Sequence, residues 1–120
     1  MITVNGLEIA VRAIIERPLT LRLYINDARD NDELVEASGA GYAAEALNPQ
    51  TWSTHKSGRG VIAQYNPVTF RFTGEMGKVY GSYVTDADGK VIERQPGPEP
   101  FEVKRDGDEI TIEPRIGFTR

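Results

Sequence analysis

The chain has 120 residues, a formal net charge of −4, a hydrophobic fraction of 39% and no cysteine. This length predicts a single domain, residues 1–120, and the lack of cysteine excludes disulfides and thiolate metal sites. The acidic balance argues against a nucleic-acid partner, which would require a clustered basic face. Because no run of about 18 apolar residues occurs, we expect no membrane partner, and the N-terminus lacks the pattern of a secretory signal.

Residues 5–16 fit two alternative structures. As a helix, the segment begins at Asn5, an N-cap with Glu8 completing a capping box, and it ends before Pro18. As a strand, it alternates apolar and polar side chains after a hairpin turn at its first two residues. We favour the helix because its cap and its proline stop agree. Its apolar face would then hold Leu7, Ala10, Val11 and Ile14.

The next segments are shorter. Residues 19–25 alternate with period two and predict a strand whose apolar face points inward. An acidic polar loop, 26–33, follows, and residues 34–37 have the length of one helical turn. Residues 42–47 have helix propensity but are too short to stand alone as a helix, so we predict a strand there.

The middle of the chain combines a polar stretch with two apolar ones. Residues 51–60 are predicted to be a polar connector, with a turn or mobile tip at 56–60. Residues 61–65 and 68–73 are predicted to be strands joined through Asn66-Pro67. The second of these strands would place Val68, Phe70 and Phe72 on one face.

The second half is a series of predicted antiparallel strands. Residues 78–92 contain an aromatic and β-branched run, a tight turn at 86–89 and a second apolar segment, and residues 101–114 repeat the pattern as a last hairpin. Between them, the proline-rich residues 95–100 predict a stiff extended linker that cannot pair as a central strand. The turn spacing predicts a mainly β fold: an antiparallel β-sandwich, with a jelly roll as one variant, and one short N-terminal helix.

No group of residues indicates catalysis. Asp86 and Asp88 stand at alternate positions before a glycine, but the calcium-loop frame would place Val84 and Gln95 at ligand positions, so a hairpin turn explains the pattern better. The acidic loop, with Asp27, Asp30, Asp32 and Glu33, is explained as a solvated loop. His55 lacks a recognisable nucleophile and is expected on a surface loop. We therefore expect no enzymatic activity, no metal and no cofactor.

Two extended segments are suited to binding or assembly. Residues 95–100 and the tail 115–120 carry the apolar anchors Phe101 and Phe118 and can add to the sheet edge of a neighbour. Alternatively, both phenylalanines fill the core of this domain. Large aromatic side chains also dominate contact energies, although core positions are again the alternative. The interface candidates are Trp52, Tyr65, Phe101, Ile116 and Phe118.

The order of several short motifs resembles that of small virion proteins of tailed bacteriophages. These motifs follow an N-terminal helix and are Leu23-Tyr24-Ile25-Asn26, Glu36-Ala37 with Gly41-Tyr42-Ala43, Trp52, Pro67-Val68-Thr69-Phe70-Arg71-Phe72-Thr73, Tyr80-Gly81-Ser82-Tyr83-Val84-Thr85-Asp86 and Ile110-Thr111-Ile112-Glu113-Pro114. The resemblance covers residues 7–114 and supports a helix at 7–16 and a strand at 42–47. The chain departs from this plan at the proline-rich insertion 95–100.

The resemblance implies a non-enzymatic structural protein of the virion, assembled in the bacterial host cytoplasm. Its partners would be the major capsid protein or tail subunits, and it would act as a homo-oligomer, a dimer or trimer. A capsid cement or decoration protein is the first interpretation, and a tail or tail-fibre component is the second. A carbohydrate-binding β-sandwich is the alternative from another class. It would use Trp52, Tyr80 and Tyr83 as exposed, coplanar stacking platforms.

Overall fold

The computed structural model describes residues 2–29 and 33–119, and the side chains as far as residue 117. Asp30 and Asp32 of the predicted acidic loop lie outside these residues. The described chain is mainly β, with antiparallel strands and one short N-terminal helix, as predicted. The elements are α1 (Val4–Ile15), β1 (Leu19–Tyr24), β2 (Glu45–Leu47), a 3₁₀ helix (Pro49–Thr51), β3 (Ser53–Ser57), β4 (Gly60–Gln64), β5 (Val68–Arg71), β6 (Gly77–Thr85), β7 (Val91–Val103), β8 (Glu109–Ile112) and β9 (Arg115–Thr119).

The strands form three antiparallel sheets around one core. Sheet I has the order β2-β1-β6-β7, sheet II the order β3-β4-β9, and sheet III pairs β5 with β8. This division differs from the paired four-stranded sheets of a jelly roll. All three sheets and α1 contribute to the core, whose most deeply buried side chains include Val11, Leu19, Leu21, Leu23, Val61, Phe72, Val103 and Ile116.

Sheets II and III are joined end to end. β5 follows β4 along the chain and β9 follows β8, so the pairs β4–β9 and β5–β8 lie end to end. Between them Tyr65 N donates to Pro114 O at 3.0 Å, and beyond β5 Phe72 N donates to Asp108 O at 2.9 Å. The junction at Asn66-Pro67 therefore carries this ladder from sheet II to sheet III.

The helical alternative for the N-terminal segment is confirmed. Leu7, Val11 and Ile15 are buried along one face of α1, which packs on β4 and β9. A strand would have turned Ile9 to the same side as Leu7, but Ile9 is 70% exposed. The predicted cap was wrong. Thr3 is the N-cap and its Oγ1 accepts from Gly6 N at 3.0 Å, whereas Asn5 Oδ1 accepts from Lys56 Nζ at 3.0 Å.

Replacing Thr3 by alanine should lower the free energy of unfolding by about 1 kcal/mol, because an N–H of the first helical turn loses its acceptor. Asn5→Ala is the matched control. It removes one exposed side-chain contact to Lys56, so we expect a smaller loss. Urea unfolding of both variants measures the difference. Equal losses, or a larger one for Asn5→Ala, would show that the cap assignment is wrong.

Three other predicted segments were wrong in their local structure, and a fourth was right only in part. Residues 34–37 are extended, not helical, because β1 takes up their backbone groups: Ile25 N donates to Val35 O and Ala37 N to Leu23 O, both at 2.9 Å. Residues 51–60 hold strand β3, a polar strand paired with β4, and of residues 42–47 only the last three form β2. Residues 101–114 are not a hairpin, because β7 pairs with β6 whereas β8 pairs with β5.

A polar network fastens residues 36–42 to sheet I. Arg22 Nη1 lies 3.1 and 3.0 Å from the two carboxylate oxygens of Glu36, and Arg22 Nε donates to Thr85 Oγ1 at 2.9 Å. The Tyr42 hydroxyl donates to Glu36 Oε2 at 2.8 Å and accepts from Leu23 N at 3.1 Å. Burial raises the pKa of Tyr42, the Leu23 N–H opposes that change, and the Glu36 carboxylate adds to it.

We expect this protein to lose stability as the pH rises above the ordinary tyrosine pKa of about 10. Burial raises the pKa of Tyr24, Tyr42 and Tyr83 in the folded chain. The unfolded tyrosines therefore release protons first, which favours unfolding. Tyr42→Phe should cost about 1–2 kcal/mol at neutral pH, since Leu23 N loses its acceptor, and should make the alkaline decline less steep.

The measurement is urea unfolding of wild type and Tyr42→Phe between pH 7 and the alkaline limit. Tyr80→Phe is the control, because the Tyr80 hydroxyl makes no hydrogen bond within the described residues. A Tyr42→Phe variant with wild-type stability and the same alkaline decline would contradict this assignment of the network.

Candidate binding surface

The proline-rich segment lies inside strand β7 and is not a linker, so that prediction was wrong. β7 is the last strand in the order of sheet I, and its ladder to β6 pairs Gly81 with Pro96 but Val79 with Phe101. Residues 97–100 therefore stand opposite Tyr80 alone and bulge out of the ladder. Prolines at alternate positions suit an edge strand with a bulge, because each lacks a backbone N–H. We call residues 96–100 the proline arch.

An apolar groove of about 400 Å³ lies beside the proline arch, between sheets I and III. Phe101 is 43% exposed at this groove, and its large side chain is therefore only partly covered by its own domain. Two carboxylate residues, Glu99 and Glu102, are exposed among the lining residues. The other residues that line the groove are Val79, Tyr80, Gly81, Gly97, Pro98, Pro100, Ile110 and Ile112.

A second hollow, of about 280 Å³, lies at the arch next to β1. Tyr24, Asp27, Ala28 and Tyr80 line it together with the arch. Burial raises the pKa of the Tyr24 hydroxyl, while the Arg94 charge lowers it and the Asp27 charge raises it. Because both the apolar groove and this second hollow lie beside the arch, the arch projects from the sheet as a ridge.

The base of the arch is a point of close approach. A Cβ atom built on Gly81 would lie 2.6 Å from the backbone oxygen of Gln95 and 2.6 Å from the Tyr24 hydroxyl oxygen. Glycine is therefore required here for space, since these atoms already occupy the position of a side chain. The register shift between Val79 and Gly81, at which the arch begins, lies at this contact.

A third hollow, of about 380 Å³, lies between sheet II and β7, and its lining is of mixed polar and apolar character. Gly60, Ile62 and Gly117 line it on the sheet II side. Its remaining lining residues are Ser57, Glu93, Arg94, Gln95 and Arg115. Because it combines carboxylate and guanidinium groups, it favours no single charge on a ligand.

The five interface candidates are not brought together. Phe101 lies at the apolar groove, whereas Ile116 is 2% exposed and fills the core, where it is inaccessible to a partner. Phe118 belongs to β9, where its backbone pairs with Val61 of β4. The side chain of Phe118 lies outside the described residues. Residues 115–119 of the tail are therefore a strand of this domain's own sheet and not a free arm.

Trp52 and Tyr65 form a partly buried pair against the core. Their ring centroids are 5.1 Å apart at an interplanar angle of 65°, and the Tyr65 hydroxyl accepts from Asn48 N at 2.9 Å. Trp52 Nε1 is buried without a hydrogen-bond partner among the described residues. Tyr83 is only 7% exposed. Trp52, Tyr80 and Tyr83 therefore do not form the exposed stacking platform that sugar binding would require.

The remaining sequence candidates have ordinary structural surroundings. His55 lies exposed on β3, opposite Ile62, and not on the predicted loop. Asp86 Oδ1 accepts from Asp88 N and Lys90 N, both at 2.9 Å, as the predicted hairpin turn requires. In residues 2–29 and 33–119, no three acidic or histidine side chains are placed so that they could hold a metal ion.

Sequence reasoning identified Phe101 but missed the rest of the groove. Glu99, Glu102, Ile110 and Ile112 come from different parts of the chain and meet only in the fold. The alternate prolines beside an aromatic residue were the one local signal of the arch. No family model matches this chain, and no curated protein or solved structure shows a significant match to it. Within the described ranges, none of the helices has the length and hydropathy needed to cross a bilayer.

Proposed function

We infer that this chain is a structural protein of a tailed-phage particle, which binds capsid subunits and stabilises the shell as a cement or decoration protein. The inference begins with the order of sequence motifs that resembles small virion proteins. The observation that carries it in the fold is the apolar groove at the proline arch, where Phe101 is 43% exposed. What supports the proposal is that an exposed aromatic side chain adjoins an apolar groove, the combination that binding sites in proteins use.

The mechanism is passive. A partner that binds only the assembled shell stabilises that state by mass action. Repeated copies, as dimers or trimers, would each cover capsid surface with the ridge formed by the arch, and no bond would be made or broken. A well-packed core and a fastened C-terminal strand suit such a role, because a rigid surface loses little conformational entropy on docking.

Cryo-electron microscopy of purified particles of the phage that we infer to encode this chain tests the proposal. We expect density for this domain on the outside of the shell, with the arch facing capsid subunits, and hundreds of copies by quantitative mass spectrometry. A small copy number with density on the tail would support the second candidate, a tail or tail-fibre component. Particles that lack the chain altogether would refute both.

A further inference from the structure

The apolar groove offers side-chain contacts but a poor edge for strand addition. Pro96, Pro98 and Pro100 remove three backbone donors from β7, and residues 97–100 bulge away from the ladder. Prolines and bulges of this kind prevent a further strand from pairing along a sheet edge. A partner that binds here must therefore insert a side chain between the arch and β8, where Ile110 and Ile112 lie.

The charged residues that line the groove are of one sign. Glu99 and Glu102 are exposed residues of its lining, and the lining includes no lysine or arginine. Lys78 is the ladder partner of Glu102, yet no ion pair joins them, and neither glutamate forms an ion pair with any described residue. Two carboxylates that form no ion pair among the described residues, beside an apolar groove, are complementary to an apolar side chain flanked by cations.

We propose that the groove binds an extended protein segment in which one large apolar residue is flanked by lysine or arginine. The apolar residue lies against Phe101, Ile112 and the prolines, and the flanking cations approach Glu99 and Glu102. This proposal deepens the proposed function and rests on it for the origin of the segment, a capsid subunit. The apolar and charged contacts that we propose depend only on the residues of the groove, and not on the origin of the segment.

The test uses the full chain and three labelled peptides that differ only at the critical positions. The first has a central leucine flanked by lysines, the second has glutamates in place of the lysines, and the third has serine in place of the leucine. We expect the first peptide to bind with an affinity about fivefold or more above that of the second, the contrast that two partly exposed ion pairs provide. The third should bind more weakly than the first, because it places no apolar side chain in the groove.

Charge reversal supplies the decisive comparison. In the double variant Glu99→Lys, Glu102→Lys, the order of the lysine and glutamate peptides should invert. Glu45→Lys, at an exposed residue of β2, is the matched control and should leave the order unchanged. Amide NMR shifts should change at Gly97, Glu99, Phe101 and Glu102 and at residues 110–112. Equal binding of the two charged peptides, an unchanged order in the double variant, or shifts elsewhere would overturn the proposal.

The outcomes separate this inference from the proposed function. Groove binding that follows the predicted charge order, in a protein that is missing from particles, would refute the virion role alone. Density on the capsid, together with peptides that do not distinguish the variants, would refute the groove chemistry alone.

Discussion

Replacing Gly81 by alanine should lower the free energy of unfolding by about 3 kcal/mol, because the added methyl group has no room. The new Cβ would lie 2.6 Å from both Gln95 O and the Tyr24 hydroxyl oxygen, and 2.8 Å from a Tyr24 ring carbon. One of these atoms belongs to the backbone of β7, so a rotamer change of Tyr24 cannot relieve the whole clash. The β6–β7 ladder must separate at the base of the arch.

Gly117→Ala is the matched control, since Gly117 is also a strand glycine and its added Cβ would meet Ile62 at an ordinary 3.6 Å. Urea unfolding of both variants gives the comparison, and amide hydrogen exchange should locate the Gly81→Ala damage in β6 and β7. The close approach would be refuted if the two alanine variants were equally stable.

Replacing Phe72 by alanine should cost about 3–5 kcal/mol, whereas Phe101→Ala should cost less than about 1 kcal/mol. Phe72 is fully buried, at 0% exposure, and its removal leaves a cavity in the shared core. Phe101 is 43% exposed at the groove, so its truncation removes few internal contacts. One residue type at two positions of the chain thus separates a core role from a surface role.

Chemical denaturation measures both losses, and Phe72→Leu retains a measurable folded state if the alanine variant unfolds. Phe101→Ala should retain its fold but lose affinity for the lysine-flanked peptide. A large loss of stability for Phe101→Ala would show that Phe101 is part of the core. It would also remove the main support for the groove as a contact surface.

The fold was predictable where the spacing of apolar residues along the sequence matches the side chains that are buried in the core. Leu19, Leu21 and Leu23 alternate in the sequence and are all buried on one side of β1. The helix was predictable from the helical spacing of Leu7, Val11 and Ile14 and from the stop at Pro18, although Ile15, which was not on the predicted face, is the residue buried with Leu7 and Val11. The cap was not, since Thr3 and Asn5 are both good N-cap residues and only the pairing of Asn5 with Lys56 on β3 separates them.

The parts that were missed depend on partners far away in the chain. Strand β3 has no apolar residue, and it forms because β4 supplies its ladder. Residues 34–37 are extended because Arg22 and the backbone of β1 bind them. The groove could not be predicted as a site, because Val79, Pro98 and Ile110 acquire a common surface only after three strands have assembled.

The docking of α1 on both β4 and β9 has a kinetic consequence. The apolar face of the helix cannot be fully covered until β9, near the opposite end of the described chain, has joined β4. Folding is slow when so large a loop of chain must close before the stabilising contacts form. Domains with such non-local pairing fold in milliseconds to seconds. We therefore expect the first helix of this chain to reach its final place among the last events of folding.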